Sequence, residues 1–311
     1  VSPNNESENT SWVFVANEGT YGASNGSISM IDDFGNVYET DALGDTVQSL
    51  EVYEDKLIVL VNNSHKIKVY DITSEGLAMP GIEIDTGNSS PRELAIINNK
   101  IYFTNWNTQD IKIFNLFNYA IEESISLDGL PEDIMFDGTD LWVTITMNSD
   151  WSPASQVVRV DVNSNSVIET FEVGSGPDKL IQHNGDIFVS RTFYDESWNA
   201  FHGSSKIGTG GSVVINNYGA GVVCGGAVLS YNGDVYRSFD GGIFPLLENL
   251  DINQSGRIGD YNQDEVYHVE IINDNIWFGI RDLSGGIGAV KVLESNGIEV
   301  ASYQVGINPG D

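Results

Sequence analysis

The chain has 311 residues, 45 acidic against 14 basic, and a formal net charge of −31. So few Lys and Arg cannot build the basic stripe that phosphate neutralisation demands, which excludes nucleic acid as a partner, and an anionic membrane surface would repel the chain. No run of about 18 apolar residues occurs, so no membrane-spanning helix is expected, while 41% apolar content with 33 Gly and 8 Pro suits short strands joined by tight turns.

Residues 1–10 are polar, lack periodicity and read as a flexible leader. The first residue is Val1, not Met, which fits a mature end behind a removed signal or lipid-anchor segment. From residue 11 onward one pattern recurs: an apolar strand, a polar or Gly turn, a second apolar strand, a polar loop, and an alternating strand ending in Asp or Asn. A first copy, 11–16 with 27–32, lacks its opening strand. The clearest copy has strands at 47–52, 56–61 and 66–71, with Glu54-Asp55 as the turn. The next three place their turns at Asn98-Asn99, Asp137-Gly138 and Asn184-Gly185, and two weaker copies turn at Asn232-Gly233 and Asn273-Asp274. Such pairs stand where a two-residue hairpin needs positive φ.

The second strands begin at Trp12, Leu57, Ile101, Leu141, Ile187, Val235 and Ile276, with spacings of 45, 44, 40, 46, 48 and 41 residues. That is the period of a four-stranded propeller blade, about 40–50 residues. Seven starts predict an all-β, seven-bladed β-propeller of antiparallel blades, one domain over 11–311. The final Gly306-Ile307-Asn308-Pro309-Gly310-Asp311 matches Gly174-Ser175-Gly176-Pro177-Asp178 and Gly129-Leu130-Pro131-Glu132-Asp133, the phrases that precede first strands. The C-terminal end is therefore expected to open the blade whose remaining strands lie at the N-terminal end, a circular closure that protects sheet edges. Little opening strand remains after Asp311: either the polypeptide runs on or that blade has fewer strands.

Aligning the copies gives two rings of residues around the expected channel. Gln48, Arg92, Glu132 and Asp178 precede first strands; Asn17, Asn62, Asn105, Thr146, Arg191 and Arg281 follow second strands. Two strand-exit loops are long and aromatic. One runs from Thr146 to Trp151; the other, from Arg191 to His202, contains Phe193, Tyr194 and Trp198, and Trp106 joins them from the third copy. Aromatics beside Arg form a platform for a planar or sugar-like ligand through stacking and cation–π contact. The expected ligand-binding residues are Trp106, Trp151, Arg191, Phe193, Tyr194 and Trp198, with Arg92, Asp178 and Arg281 from the rings. The alternative is that these rings only pack the loops onto the scaffold.

Other chemistry is thinly supported. Asp251-Ile252-Asn253-Gln254-Ser255-Gly256 begins like a calcium loop, but Asn262 stands where a bidentate Glu is required, so it reads as a turn. His65, His183, His202 and His268 lack zinc spacing, and lone Cys224 reads as a small buried hydrophobe that allows no internal disulfide. No metal or cofactor is expected; the alternative is a calcium ion in the channel or in that loop. There is no nucleophile elbow and no phosphate-binding Gly loop with Lys. Glu132-Asp133 is explained by repeat position, one lining the channel and one capping the turn.

Pro-x-Glu/Asp before strands, and alternating strands closing in Val-x-Asp, resemble the YVTN-type seven-bladed propellers over most of the chain. The phrases Val15-Ala16-Asn17-Glu18-Gly19, Gly44-Asp45-Thr46-Val47-Gln48-Ser49 and Val61-Asn62-Asn63-Ser64-His65 are similar to Bacteroidota surface lipoproteins of the cobalamin-capturing group. The resemblance implies a monomeric protein at the outer-membrane surface. It would capture a small nutrient, cobalamin-like or other, for a TonB-dependent outer-membrane transporter rather than act as an enzyme. The competing readings are a protein-interaction scaffold and a metal-assisted hydrolase or lyase at the channel mouth.

Overall fold

The computed structural model describes residues 11–221 and 227–311; the leader and Cys224 lie outside the described residues. Strands dominate, and the one helical element among the described residues is a single 3-10 turn, Gln254–Gly256. Seven antiparallel sheets follow one another along the chain. Blades 3, 4, 5 and 7 each have four strands in sequence order. Their innermost strands are Pro91–Ile97, Leu130–Phe136, Pro177–His183 and Val266–Ile272. Blade 2 runs Val47–Tyr53, Lys56–Val61 and Lys66–Thr73, with Ile82–Asp85 as its outer strand and a short Gly76–Leu77 ladder beside it. Blade 6 has Val228–Tyr231, Asp234–Phe239 and Gly242–Pro245, and Ile258 completes its outer edge by exchanging backbone hydrogen bonds of 2.8 and 2.9 Å with Ile243.

Blade 1 joins the two ends of the chain. Trp12–Asn17, Ser27–Asp32 and Val37–Glu39 form its outer three strands. On its inner side the Ala16 N–H donates to Asp311 O at 2.6 Å and the Gly310 N–H donates to Ala16 O at 2.9 Å. The Asp311 carboxylate also accepts from the Leu50 N–H of blade 2 at 2.7 Å. The expected circular closure is therefore present, and sheet-edge groups at both ends of the chain are paired.

The second strands begin within one residue of the expected positions because their turns dictate it. Asn184 and Gly185, Asn232 and Gly233, and Asn273 and Asp274 all take positive φ, from 49° to 87°. Two-residue hairpins of this hand match the strand twist, and Asn, Asp and Gly enter that region most easily. A second device recurs at the end of the second strands. Thr104, Thr144, Ser190 and Ser238 each accept from an N–H in, or directly before, the first strand of their own blade, at 2.8–3.1 Å. Thr104 and Thr144 then donate to carbonyls of the next blade, Glu132 O and Asp178 O, at 2.6 and 2.8 Å. These two threonine hydroxyls each bolt one blade to its neighbour.

The core consists of seams between blades. Apolar clusters fill the contacts between blades 1 and 2, 2 and 3, 3 and 4, 4 and 5, 6 and 7, and 7 and 1. No such cluster stands between blades 5 and 6 among the described residues. There Arg191, Arg237, His202 and Ser204, none more than 1% exposed, are buried beside the apolar Val228, Val235 and Phe244 of blade 6.

Candidate functional site

Each blade's second and third strands are joined at one rim of the propeller, and that loop sets what the rim displays. In blades 2 to 5 it closes on a residue with left-handed backbone: His65, Gln109, Trp151 and Trp198, with φ of 54°, 51°, 67° and 61°. The turn is the same in the two aromatic loops. The Trp151 N–H donates to Asn148 O at 2.9 Å, and the Trp198 N–H donates to Asp195 O at 3.0 Å. Asp195 reinforces its loop by accepting from the Ser197 and Asn199 N–H groups and the Asn199 amide, which holds its carboxyl below the usual range. Left-handed backbone disfavours a bulky side chain by about 1–2 kcal/mol. Both indoles are nonetheless mostly exposed, 59% for Trp151 and 76% for Trp198.

These two indoles line one cavity of about 500 Å³ between blades 4 and 5, with Phe193, Tyr194, Met147 and Pro153 as further apolar wall. Thr146, Thr192, Asp195 and Glu196 supply its polar atoms. Tyr194 and Trp198 rings lie 6.1 Å apart, tilted by 49°, and Phe193 stacks on Phe201 at 5.8 Å. The Thr192 hydroxyl is buried without a hydrogen-bond partner.

The cavity is continuous with the channel mouth through stacked side chains. Trp106 meets Trp151 edge-on at 5.8 Å, and the Arg92 guanidinium lies 4.3 Å from the Trp106 ring. Arg92 in turn donates to Glu132 at 2.5–3.1 Å and to Gln48 Oε1 at 2.7 Å. Burial works against the Arg92 charge, but Glu132 outweighs it and holds the guanidinium protonated. Asp178, the next member of this ring, is pushed up to about 7 by burial and by Glu132, against the pull of Lys179 and Arg237.

Of the residues expected at a ligand site, Trp151, Phe193, Tyr194 and Trp198 come together around the cavity. Trp106 and Arg92 stand behind Trp151, towards the channel, and Asp178 belongs to the channel ring. Arg191 lies behind the wall, 1% exposed, with its guanidinium donating to Ser175 O, Asn216 O and Asn217 Oδ1. It reaches the platform only through Phe193, whose ring centre is 5.5 Å from it. Arg281 lies on blade 7, donating to Asp264 O at 2.8 Å and sitting 5.3 Å from the Tyr267 ring.

Below the mouth the channel carries a second polar belt that the aligned rings did not include. The Lys179 ammonium donates to Glu93 and faces Asp133 and Asp311. Burial opposes its charge, yet the three carboxylates raise its pKa. One ammonium cannot neutralise three carboxylates, so burial lifts all three acids and Glu93 reaches about 8. Asp133 also accepts from the Leu180 N–H of blade 5 and the neighbouring Ile134 N–H, so it ties two inner strands together and does not cap a turn as its repeat position suggests. A second cavity, of about 350 Å³, lies beside the inner edge of blade 1 where the C-terminal segment ends; Val13, Val15, Leu50, Trp277, Glu51 and Glu270 line it.

The Asp251 loop closes as a turn. Its carboxylate accepts from the Asn216 and Asn249 amides, and Asn253 caps the short helical turn by accepting from the Ser255 N–H. Among the described residues no three His, Cys, Asp or Glu side chains are grouped to hold a metal ion, and no helix is long and apolar enough to cross a membrane.

No protein-family model and no curated protein matches the sequence. Solved structures do match the fold. A hypothetical selenium-binding protein from Sulfolobus tokodaii aligns over 98% of this chain and 95% of its own, with a TM-score of 0.68 at 10% identity. A candidate 6-phosphogluconolactonase from Bacteroides fragilis aligns over 98% and 97%, with a TM-score of 0.65 at 14% identity. BamB from Moraxella catarrhalis aligns over 94% and 86%, with a TM-score of 0.56 at 14% identity. Likeness at 10–14% identity carries architecture and not activity, and what it establishes is that the chain is a seven-bladed β-propeller.

Proposed function

We propose that the protein is a binding propeller that captures a small ligand in the aromatic cavity between blades 4 and 5. One observation carries the reading: two adjacent blades place a mostly exposed indole at a left-handed backbone position, and both indoles line the same cavity. A fold keeps bulky side chains at such positions only when something other than the turn requires them. A concave, largely apolar pocket with a few directional groups is the usual form of a small-molecule site.

The wall also narrows the ligand class. Its charged members are Asp195 and Glu196, and Arg191 is turned away into the blade. The ligand is therefore neutral or cationic at its point of contact, with a flat apolar surface for the rings. The resemblance to surface lipoproteins supplies the setting: capture at the outer-membrane surface and delivery of a nutrient to a TonB-dependent transporter.

Intrinsic tryptophan fluorescence tests the pocket. Cyanocobalamin and a panel of neutral and cationic planar compounds are titrated against the wild type, Trp151→Ala and Trp198→Ala. Each substitution is expected to weaken the best binder by about tenfold or more, the loss of one stacking face at roughly 1.5 kcal/mol. Unchanged affinity in both variants would remove this cavity from the ligand site.

A further inference from the structure

The seam between blades 5 and 6 breaks the rule that the other six obey. Arg237 stands on the second strand of blade 6, one residue before Ser238, whose hydroxyl accepts from the Ala227 N–H. The same position holds Val189 in blade 5, Val143 in blade 4 and Phe103 in blade 3, all fully buried core residues. Arg237 is as buried as they are, at 0% exposure. A guanidinium has therefore replaced an aliphatic or aromatic knob in the same hole.

Among the described residues its charge has no direct ion pair and is favoured only at longer range, by Tyr218 and Asp178. Arg92, Arg159 and Arg257 each pair with carboxylates, in a chain with 45 acidic residues. Among the described residues no carboxylate forms an ion pair with Arg237 or Arg191. Arg237 has one long contact, Nη1 to Ala227 O at 3.3 Å, while its Nε and Nη2 are buried without a partner. Arg191 Nε and His202 Nδ1 are buried and unpartnered as well. These groups share one neighbourhood. His202 packs against Tyr218 at 5.3 Å and stacks on Phe239 at 5.1 Å, and the Arg237 charge acts on Arg191, His202 and Tyr218 alike.

The protonation states point the same way. Burial lowers both guanidiniums to about 10; Arg237 depresses Arg191 further, while Tyr218 and Asp178 pull the Arg237 value back up. Burial also drops His202 to about 4, so the imidazole is neutral at pH 7 and can donate from Nδ1. Among the described residues, four unpartnered nitrogens thus gather at this seam, Arg237 Nε and Nη2, Arg191 Nε and His202 Nδ1, and the Arg237 charge lowers that of Arg191. Unpartnered buried donors and unneutralised buried charge are each strongly unfavourable. A small anion resolves both at once, accepting several N–H bonds and cancelling charge.

We propose that the seam between blades 5 and 6 is a binding site for a small monovalent anion of chloride or formate size, held by Arg237 with Arg191 and His202. The site is separate from the aromatic cavity, and its occupancy locks the polar seam as apolar packing locks the other six. An anion that binds only the folded chain raises its stability by mass action.

The test uses the whole protein at constant ionic strength, with sodium chloride or bromide exchanged against sodium gluconate, whose anion is too large for a packed seam. The wild-type midpoint of thermal unfolding is expected to rise by about 2 °C or more as halide replaces gluconate. Arg237→Met restores an apolar knob; its midpoint should be independent of the anion and higher than that of the wild type in gluconate. Crystals soaked in bromide should show an anomalous peak beside the Arg237 guanidinium. A halide response equal in wild type and variant, or no bromide peak there, would overturn the proposal in favour of ordinary hydration.

Discussion

Trp198 shows how a single residue trades local comfort for display. It occupies the left-handed position that closes a tight turn, where Asn or Gly relaxes the backbone and Trp strains it. Its indole is 76% exposed, so packing returns little of that strain. Replacing Trp198 by Asn should therefore leave the fold intact and raise its stability in denaturant by about 0.5–1 kcal/mol, while ligand affinity falls. A loss of more than about 1 kcal/mol would instead mean that the ring serves as loop core. The comparison with Arg191 is instructive. Sequence spacing put both residues in one aromatic loop, but Arg191 is still within the second strand, Asp186–Tyr194, and its side chain turns into the blade.

At the scale of elements, most of the architecture was written in turns and periods. Asn-Gly and Asn-Asp pairs fix where the second strands of blades 5, 6 and 7 start, because few residue types accept two successive positive φ values. The aromatic rim was legible because only two strand-exit loops are both long and rich in rings. The outer strands were not. Blade 6 reaches its outer edge through a detour that ends in a lone bridge at Ile258, and nothing in local periodicity announces such a return. The seam at Arg237 was missed for a different reason. Val235-Tyr236-Arg237-Ser238-Phe239 alternates like any strand, and an Arg in an alternating strand is ordinarily read as facing water. The inner belt of Glu93, Asp133, Lys179 and Asp311 was missed because its members lie one position beyond the aligned ring and meet only across the channel. The closure of blade 1 yields its own test. Deleting residues 306–311 removes the bonds from Asp311 to Ala16 and Leu50 and from Asn308 to Glu18. With each worth about 1 kcal/mol net, at least about 3 kcal/mol should be lost, and amide exchange should accelerate first in Trp12–Asn17. Uniform acceleration across all blades would show that closure is no weak point.

For the whole molecule the decisive quantity is surplus negative charge, and the interior amplifies what the surface begins. The net charge of −31 makes the compact state repel itself. Inside, Asp178 and Glu93 are raised by burial to about 7 and about 8, against 3.8 and 4.5 for the ordinary groups. Between those limits the folded chain holds protons that the unfolded chain has released. Stability must then fall as pH rises from about 4 to about 8, because the unfolded state binds fewer protons over that window. Carboxyls held below their ordinary values, such as Glu83 beside Lys66 and Lys68, act in the opposite direction but only under more acid conditions. Lys179 and Arg92, both raised, lose their protons only in strong alkali. The stability maximum is accordingly expected near pH 4, with a lower unfolding midpoint at pH 8.5 than at pH 5.5. Salt should raise stability most at the alkaline end, where surface repulsion is greatest. Asp178→Asn separates the interior from the surface. It removes one buried ionisation, so it should stabilise the protein at pH 8.5, change little at pH 4, and flatten the slope between them. If the slope is unaltered in Asp178→Asn yet vanishes in 0.5 M salt, surface repulsion alone sets the pH response and the channel acids are bystanders.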